Sequence, residues 1–157
     1  MIKLNNPWRY KGYACFGCSS DNPMGLKMDF FEDNKEIVCH WEPAEQYQGY
    51  YRIVHGGIQA TLLDEIASWC VFTQLGTTGF TKSMSIEYID QVGVDAGTIE
   101  LRAGLESSDK KSAVMRCCLY QQNKLKAEAL CEYAIFSEAV ARKKLNYPGV
   151  EAFYSIR

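Results

Sequence analysis

The sequence predicts an α+β fold, with one long apolar helix wrapped by a curved antiparallel sheet of five to six strands. Three observations predict it. The stretch beginning at Gly56 carries Ile58, Leu62, Leu63, Ile66, Ala67, Trp69, Cys70 and Phe72, leaving almost no polar face, as in a helix buried on most sides. The remaining apolar residues fall in alternating runs, two ahead of this helix and three or four behind it. The connections between the later runs are short, which favours antiparallel neighbours. A sheet curved around one helix explains why that helix is apolar nearly all round.

In chain order, residues 1–25 read as an irregular extension punctuated by Pro7, Gly12, Gly17, Pro23 and Gly25. Its aromatics, Trp8, Tyr10, Tyr13 and Phe16, are too many for a solvated tail, so it is expected to pack on the domain. Residues 26–30 and 36–41 alternate as a strand pair with a turn at Asp33-Asn34. A loop over 43–54 leads into the helix, which is predicted to end near Gly76. Strands are expected at 81–89, 98–106, 112–120 and 126–136, with Met84, Ile86 and Tyr88 sharing one face of the first. Asp109-Lys110 and Gln122-Asn123 are the hairpin turns. The tail, 137–157, begins as a short basic helix ended near Pro148. No internal repeat divides the chain, so residues 1–157 are read as one domain.

Composition excludes several function classes. With 47% hydrophobic and 23% charged residues, the chain has the make-up of a soluble globular protein. A net charge of −2 gives no case for nucleic-acid binding. No apolar run approaches the roughly 20 residues of a membrane span. Lys3, Asn5, Asn6, Pro7 and Arg9 break up any signal-peptide core, so a cytoplasmic location is expected. The odd count of seven cysteines argues against a disulfide framework. Cys15 and Cys18 have the spacing of half a zinc site. Cys39 and His40 are adjacent on a predicted strand and point to opposite faces, so they do not complete it and no metal is expected. A redox role for the pair stays open, although Cys15 does not follow a strand leading into a helix.

Asp64 is the most informative residue. A buried helix carries no carboxylate unless the acid is paired or working. Gly56 and Gly57 stand at the helix start, where backbone N–H groups are unpaired and the helix dipole is positive. Glycines there let another group approach the backbone, so this end can hold an anion or the oxyanion of an attacked carbonyl. Asp64 lies seven residues beyond Gly57, roughly 10 Å along the axis, too far for one short acyl group to span within one helix. A second copy of the helix would then supply one of the two ends, which predicts a dimer.

The stretch His55-Gly56-Gly57, followed by Ala60-Thr61-Leu62-Leu63-Asp64-Glu65, resembles the signature of PaaI-type acyl-CoA thioesterases of the hot dog superfamily. The resemblance includes Cys15-Phe16-Gly17-Cys18, Asn22-Pro23-Met24-Gly25-Leu26, Tyr47-Gln48-Gly49-Tyr50 and Gly79-Phe80-Thr81, and covers about residues 14–136. It implies a hot dog fold and hydrolysis of a medium-chain or aromatic acyl-CoA. It also implies no metal, no cofactor beyond the coenzyme A of the substrate, and a homodimer or homotetramer with shared sites. Asp64 then corresponds to the general base or nucleophile and Gly56, beside Gly57, to the oxyanion donor. His55 would orient the site. Thr81 would place a hydroxyl near the attacking water, unless it is only a β-branched strand residue. Ser68, one turn after Asp64, would assist the acid or bond its own helix backbone. Glu65 is expected to be an ion-pair or interface residue and only the second choice of acid.

One position departs from the family. Where several relatives carry Asn or Gln seven residues before the oxyanion glycine, this chain has Gly49, with Gln48 and Gln46 close by. Tyr50 and Arg52 follow in the same loop. For the phosphates of coenzyme A the candidates are Lys110, Lys111, Arg116, Arg52 and Lys82. Tyr47, Tyr50, Trp69 and Phe72 would wall an acyl pocket or belong to the core. A non-catalytic acyl-CoA-binding protein of the same fold is the alternative reading.

Overall fold

The computed structural model describes residues 1–8 and 10–154; Arg9 and the last three residues of the tail, 155–157, lie outside it. Helix α1, Gly56–Gln74, starts at an N-cap on His55 and stops at Leu75, followed by Gly76 at φ 63°, a left-handed turn that glycine adopts without strain. Leu62, Leu63, Ile66, Ala67, Trp69, Cys70 and Val71 of α1 are fully buried. The sheet that buries them has seven strands: β1 Ile2–Lys3, β2 Phe31–Asp33, β3 Glu36–Trp41, β4 Gly79–Tyr88, β5 Ile99–Ser108, β6 Ser112–Gln121 and β7 Lys124–Ile135. Their order is β1-β2-β3-β5-β6-β7-β4, and every neighbouring pair is antiparallel. The helix lies against β3, β4, β5, β6 and β7, which is the predicted arrangement.

The strand count exceeds the expected five to six because β1 adds a two-residue strand to one edge. A second correction concerns 26–30. Leu26, Met28 and Phe30 are buried and the residues between them exposed, so the alternation is real, but this segment joins no ladder. Its N–H groups go to the N-terminal extension instead, Leu26 to Phe16 O at 2.7 Å and Met28 to Gly17 O at 2.9 Å. The ladder begins at Phe31. The hairpin turns follow local chemistry. Gln122 and Asn123 both take positive φ, as do Asn34 and Lys35, one residue later than the predicted Asp33-Asn34 turn. Asp109 Oδ1 accepts the Lys111 and Ser112 N–H groups at 2.7 and 2.8 Å and closes the β5–β6 turn.

The extension packs on the domain through Trp8, which contacts Phe72, Tyr147 and Phe153 at ring separations of 5.3–6.2 Å. In the tail, helix α2, Glu138–Leu145, is capped by Ser137 and ends at Asn146 with φ 56°. A last turn of helix, α3, spans Glu151–Tyr154.

Strand β4 ends the sheet order and so has one open edge. Its exposed apolar residues include Phe80, 60% exposed, and Tyr88, 50% exposed. It pairs with β7 through a bulge at Lys82: Thr81 stands opposite Tyr133 while Ser83 stands opposite Glu132. No helix among the described residues is long and apolar enough to cross a membrane.

Candidate active site

Helix α1 begins with four N–H groups that no earlier turn can pair. Three are accounted for: His55 donates to Tyr47 O at 2.8 Å, Gly57 to His55 Nδ1 at 2.8 Å, and Ile58 to His55 O at 2.9 Å. The fourth, on Gly56, has no acceptor among the described residues. His55 thus orients the helix start by accepting an N–H through Nδ1, which places its ring proton on Nε2. Tyr88 donates to Gly56 O at 2.9 Å from β4. A Cβ on Gly56 would meet only the Tyr88 ring at 3.6 Å, ordinary contact, so intrachain packing does not demand glycine here. A cleft of about 870 Å³ opens at this end of the helix, bordered by Tyr50, His55, Gly56, Tyr88 and Asp90.

Asp64, half-buried, lies two turns further on. Its Oδ1 accepts from Thr81 Oγ1 at 2.8 Å and from Tyr133 OH at 2.6 Å; the same phenol lies 2.7 Å from Asp64 O. Oδ2 receives no donor among the described residues. Burial, and then the charge of Asp64, push the Tyr133 phenol up, so it stays protonated and remains a donor. Tyr133 was missed by sequence reasoning. A signal existed: Ala127, Ala129, Cys131 and Tyr133 alternate along the buried face of β7, and a buried tyrosine hydroxyl needs a partner.

The other predicted residues are placed as follows. Ser68 donates to Glu65 O at 2.7 Å, so its hydroxyl is held by its own helix backbone rather than by Asp64. Glu65 turns the other way, toward Cys15, whose Sγ lies 3.5 and 3.6 Å from its two carboxylate oxygens. No cation pairs with Glu65 among the described residues, so of the two expected roles, ion pair or interface, the first is not met within the chain, and burial pushes its carboxyl up to about 8. Gly49 is packed under the loop: a Cβ there would come within 3.2 Å of the His55 ring. Gln48 Oε1 accepts the Arg52 N–H at 2.8 Å and is spent on the loop.

Among the predicted phosphate contacts, three are already neutralised. Arg52 pairs with Asp95, Lys82 with Glu132 at 3.1 Å, and Arg116 with Glu106 and Glu128 at 3.1 and 3.2 Å. Lys110 and Lys111 are exposed at the β5–β6 turn and form no ion pair among the described residues. Of the proposed acyl-pocket walls, Trp69 is stacked on Phe30 at 4.2 Å, Phe72 packs on Trp8, and Tyr47 donates to Gly25 O. These three belong to the interior of the chain because their face of α1, or of the loop, turns toward the core. Tyr50 alone faces the cleft.

The sequence profile of the thioesterase superfamily matches residues 51–128, a span that includes all of α1 and most of the sheet. Several solved structures are similar. A hypothetical thioesterase from Streptococcus pneumoniae, solved with coenzyme A, is 20% identical with a TM-score of 0.65, over 70% of this chain and 89% of that one. This is the hot dog thioesterase fold. A protein from Streptococcus mutans bound to acetyl-CoA shares the hot dog architecture at 18% identity and TM-score 0.66, over 82% and 96% of the two chains. Thioesterase superfamily member 2 from zebrafish aligns at 21% identity and TM-score 0.66, over 74% and 90%. No match is found among curated proteins. In this hot dog chain the helix start and Asp64 occupy opposite ends of one partly exposed face of α1, and β4 touches both, through Tyr88 and Thr81.

Proposed function

We propose that this protein is an acyl-CoA thioesterase of the PaaI type, acting in the cytoplasm on medium-chain or aromatic acyl-CoA. The observation that carries the reading is the single unpaired N–H at the start of α1, on a glycine that intrachain packing does not require, opening on a cleft. A thioester oxygen set against that N–H gains a donor and the positive end of the helix dipole as negative charge develops on it. Asp64, with Oδ1 held by Thr81 and Tyr133, presents Oδ2 to the reaction. As general base it takes a proton from water as the C–O bond forms; the C–S bond breaks and the proton passes to the departing coenzyme A thiolate. As nucleophile it would instead attack the carbonyl carbon, and as the C–S bond breaks coenzyme A leaves as the thiolate, giving an acyl-aspartyl anhydride that water then opens. Neither route uses a metal or a cofactor.

Gly56 and Asp64 are eight residues apart, about 12 Å along α1, so one thioester meets both only if they come from two helices. The open edge of β4, with Phe80 and Tyr88 exposed on that strand, supports a homodimer, or a dimer of dimers, that brings a second α1 alongside. Lys110 and Lys111 remain unengaged for the phosphates of coenzyme A. That coenzyme A and acetyl-CoA occupy two proteins of the same fold agrees with this class of substrate. The lack of a polar side chain at Gly49 favours a second reading, a protein that binds acyl-CoA without turnover. Thiol release from a panel of short, long and aromatic acyl-CoAs, measured for wild type beside Asp64→Ala, separates the two. Turnover abolished by the substitution supports the enzyme; saturable binding with no turnover in wild type supports the binding protein.

A further inference from the structure

Glu65 leaves the proposed reaction entirely. It projects about 100° round α1 from Asp64 and ends beneath the loop that carries Cys15 and Cys18. One atom from each of the three residues lies within 4.8 Å of the other two. We propose that Cys15, Cys18 and Glu65 bind one zinc ion, which clips the N-terminal extension to the helix bearing the active-site acid.

The spacing fits. With Zn–S about 2.3 Å and Zn–O about 2.1 Å, the sulfur–oxygen edge of a tetrahedral site is roughly 3.6 Å. Cys15 Sγ lies 3.5 and 3.6 Å from the Glu65 oxygens. The electrostatics fit as well. The Glu65 carboxyl group faces two cysteine sulfurs and has no cationic partner among the described residues, so the trio offers three anionic ligand groups with nothing to offset them but a bound cation. Sulfur ligands favour zinc over magnesium or calcium.

The surroundings are those of thiolate ligands. Tyr13 OH lies 2.9 Å from Cys18 Sγ, where it can donate to a thiolate. The spacer between the cysteines is also close-packed: a Cβ on Gly17 would stand 2.4 Å from Glu65 Cδ, so a larger residue there would displace the carboxyl group from its present position. Three protein ligands leave a fourth position, and Cys15, Cys18, Glu65 and Ser68 share a cavity of about 230 Å³ that has room for a water ligand. Phe16 O and Gly17 O already accept the N–H groups of Leu26 and Met28, and a metal at residues 15–18 would tie the same loop to α1 as well.

The test is direct and independent of catalysis. Wild-type protein, kept reduced, loaded with zinc and dialysed, should retain about one zinc per chain by mass spectrometry. Cys15→Ser and Cys18→Ser should lose it, and Glu65→Gln should bind at least about 10-fold more weakly. With Co²⁺ in place of zinc, wild type should show tetrahedral visible bands and a thiolate-to-cobalt band that falls by about half in either cysteine variant. Circular dichroism of each variant checks folding, and the wild-type cobalt spectrum decides even if a variant fails to fold. Absence of the thiolate–cobalt band overturns the proposal, as does zinc retained equally by all three variants. Loss of two titratable thiols on exposure to air, with no metal taken up by the reduced protein, also overturns it and assigns the pair to a disulfide.

Discussion

Replacing Tyr133 with phenylalanine tests whether the carboxylate of Asp64 is positioned or merely present. The ring is 2% exposed and Phe keeps its volume, so no cavity is made and the perturbation is the loss of one hydroxyl. That hydroxyl has one proton, shared between Asp64 Oδ1 at 2.6 Å and Asp64 O at 2.7 Å, so one hydrogen bond to a charged acceptor is removed. Such bonds contribute about 1.5–3 kcal/mol. For a chain of this size that lowers the melting temperature by roughly 3–12 °C. With only Thr81 left to hold Oδ1, the acid can swing about its side-chain torsions, and loss of alignment of this kind costs about 10–100-fold in kcat with KM little changed. Thermal melts and thiol-release kinetics on the same preparations give both numbers. A kcat equal to wild type beside the expected drop in stability would refute the positioning argument and leave Tyr133 as a brace between β7 and α1.

Gly56→Ala should fold normally and gain up to about 1 kcal/mol, since alanine is the better helix former and its methyl meets only ordinary contact, yet turnover should fall because the methyl stands where the thioester must approach; a variant as active as wild type argues against the helix start as the oxyanion site. Arg102 donates to Glu100 at 2.7 Å and to Glu36 at 2.9 Å, and holds the Glu100 carboxyl below its ordinary value. A depressed acid stabilises the fold above its unfolded pKa and loses that contribution as pH falls through the folded one. Urea midpoints at pH 7 and pH 3.5 should therefore differ more in wild type than in Arg102→Ala, with the variant about 1 kcal/mol weaker at pH 7; equal differences would remove the network from the acid response.

Much of this was legible in the sequence because the physics is local. α1 announces itself by apolar residues on every face, its start by the two glycines after His55, and its end by Gly76. The span 36–41 coincides with β3, where Cys39 is buried and His40 meets Glu100 on the other face, as alternation requires. The misreading at 26–30 has an equally physical source. Alternating burial marks a segment lying on a core, but only partner strands make it a ladder, and here the partner is an irregular extension. What stayed hidden depends on contacts distant in sequence. Tyr133 reaches Asp64 across 69 positions, and Glu65 reaches Cys15 across 50. Each of those residues looks ordinary within its own element, and neither alternation nor spacing carries the pairing.

The bulge at Lys82 acts as a change of parity along β4. Beyond it the even-numbered residues Met84, Ile86 and Tyr88 turn toward the helix, and before it the odd-numbered Thr81 does so. A regular strand would offer the helix residues of one parity only, and so could supply the hydroxyl of Tyr88 at Gly56 or that of Thr81 at Asp64, but not both. The residue count between positions 81 and 88 thereby decides whether both contacts to α1 can form. Closing the bulge by deleting one residue would leave the sheet intact and the ladder complete, while turning the Thr81 hydroxyl to the far face. Substitutions along β4 can be absorbed one side chain at a time; a change of length cannot.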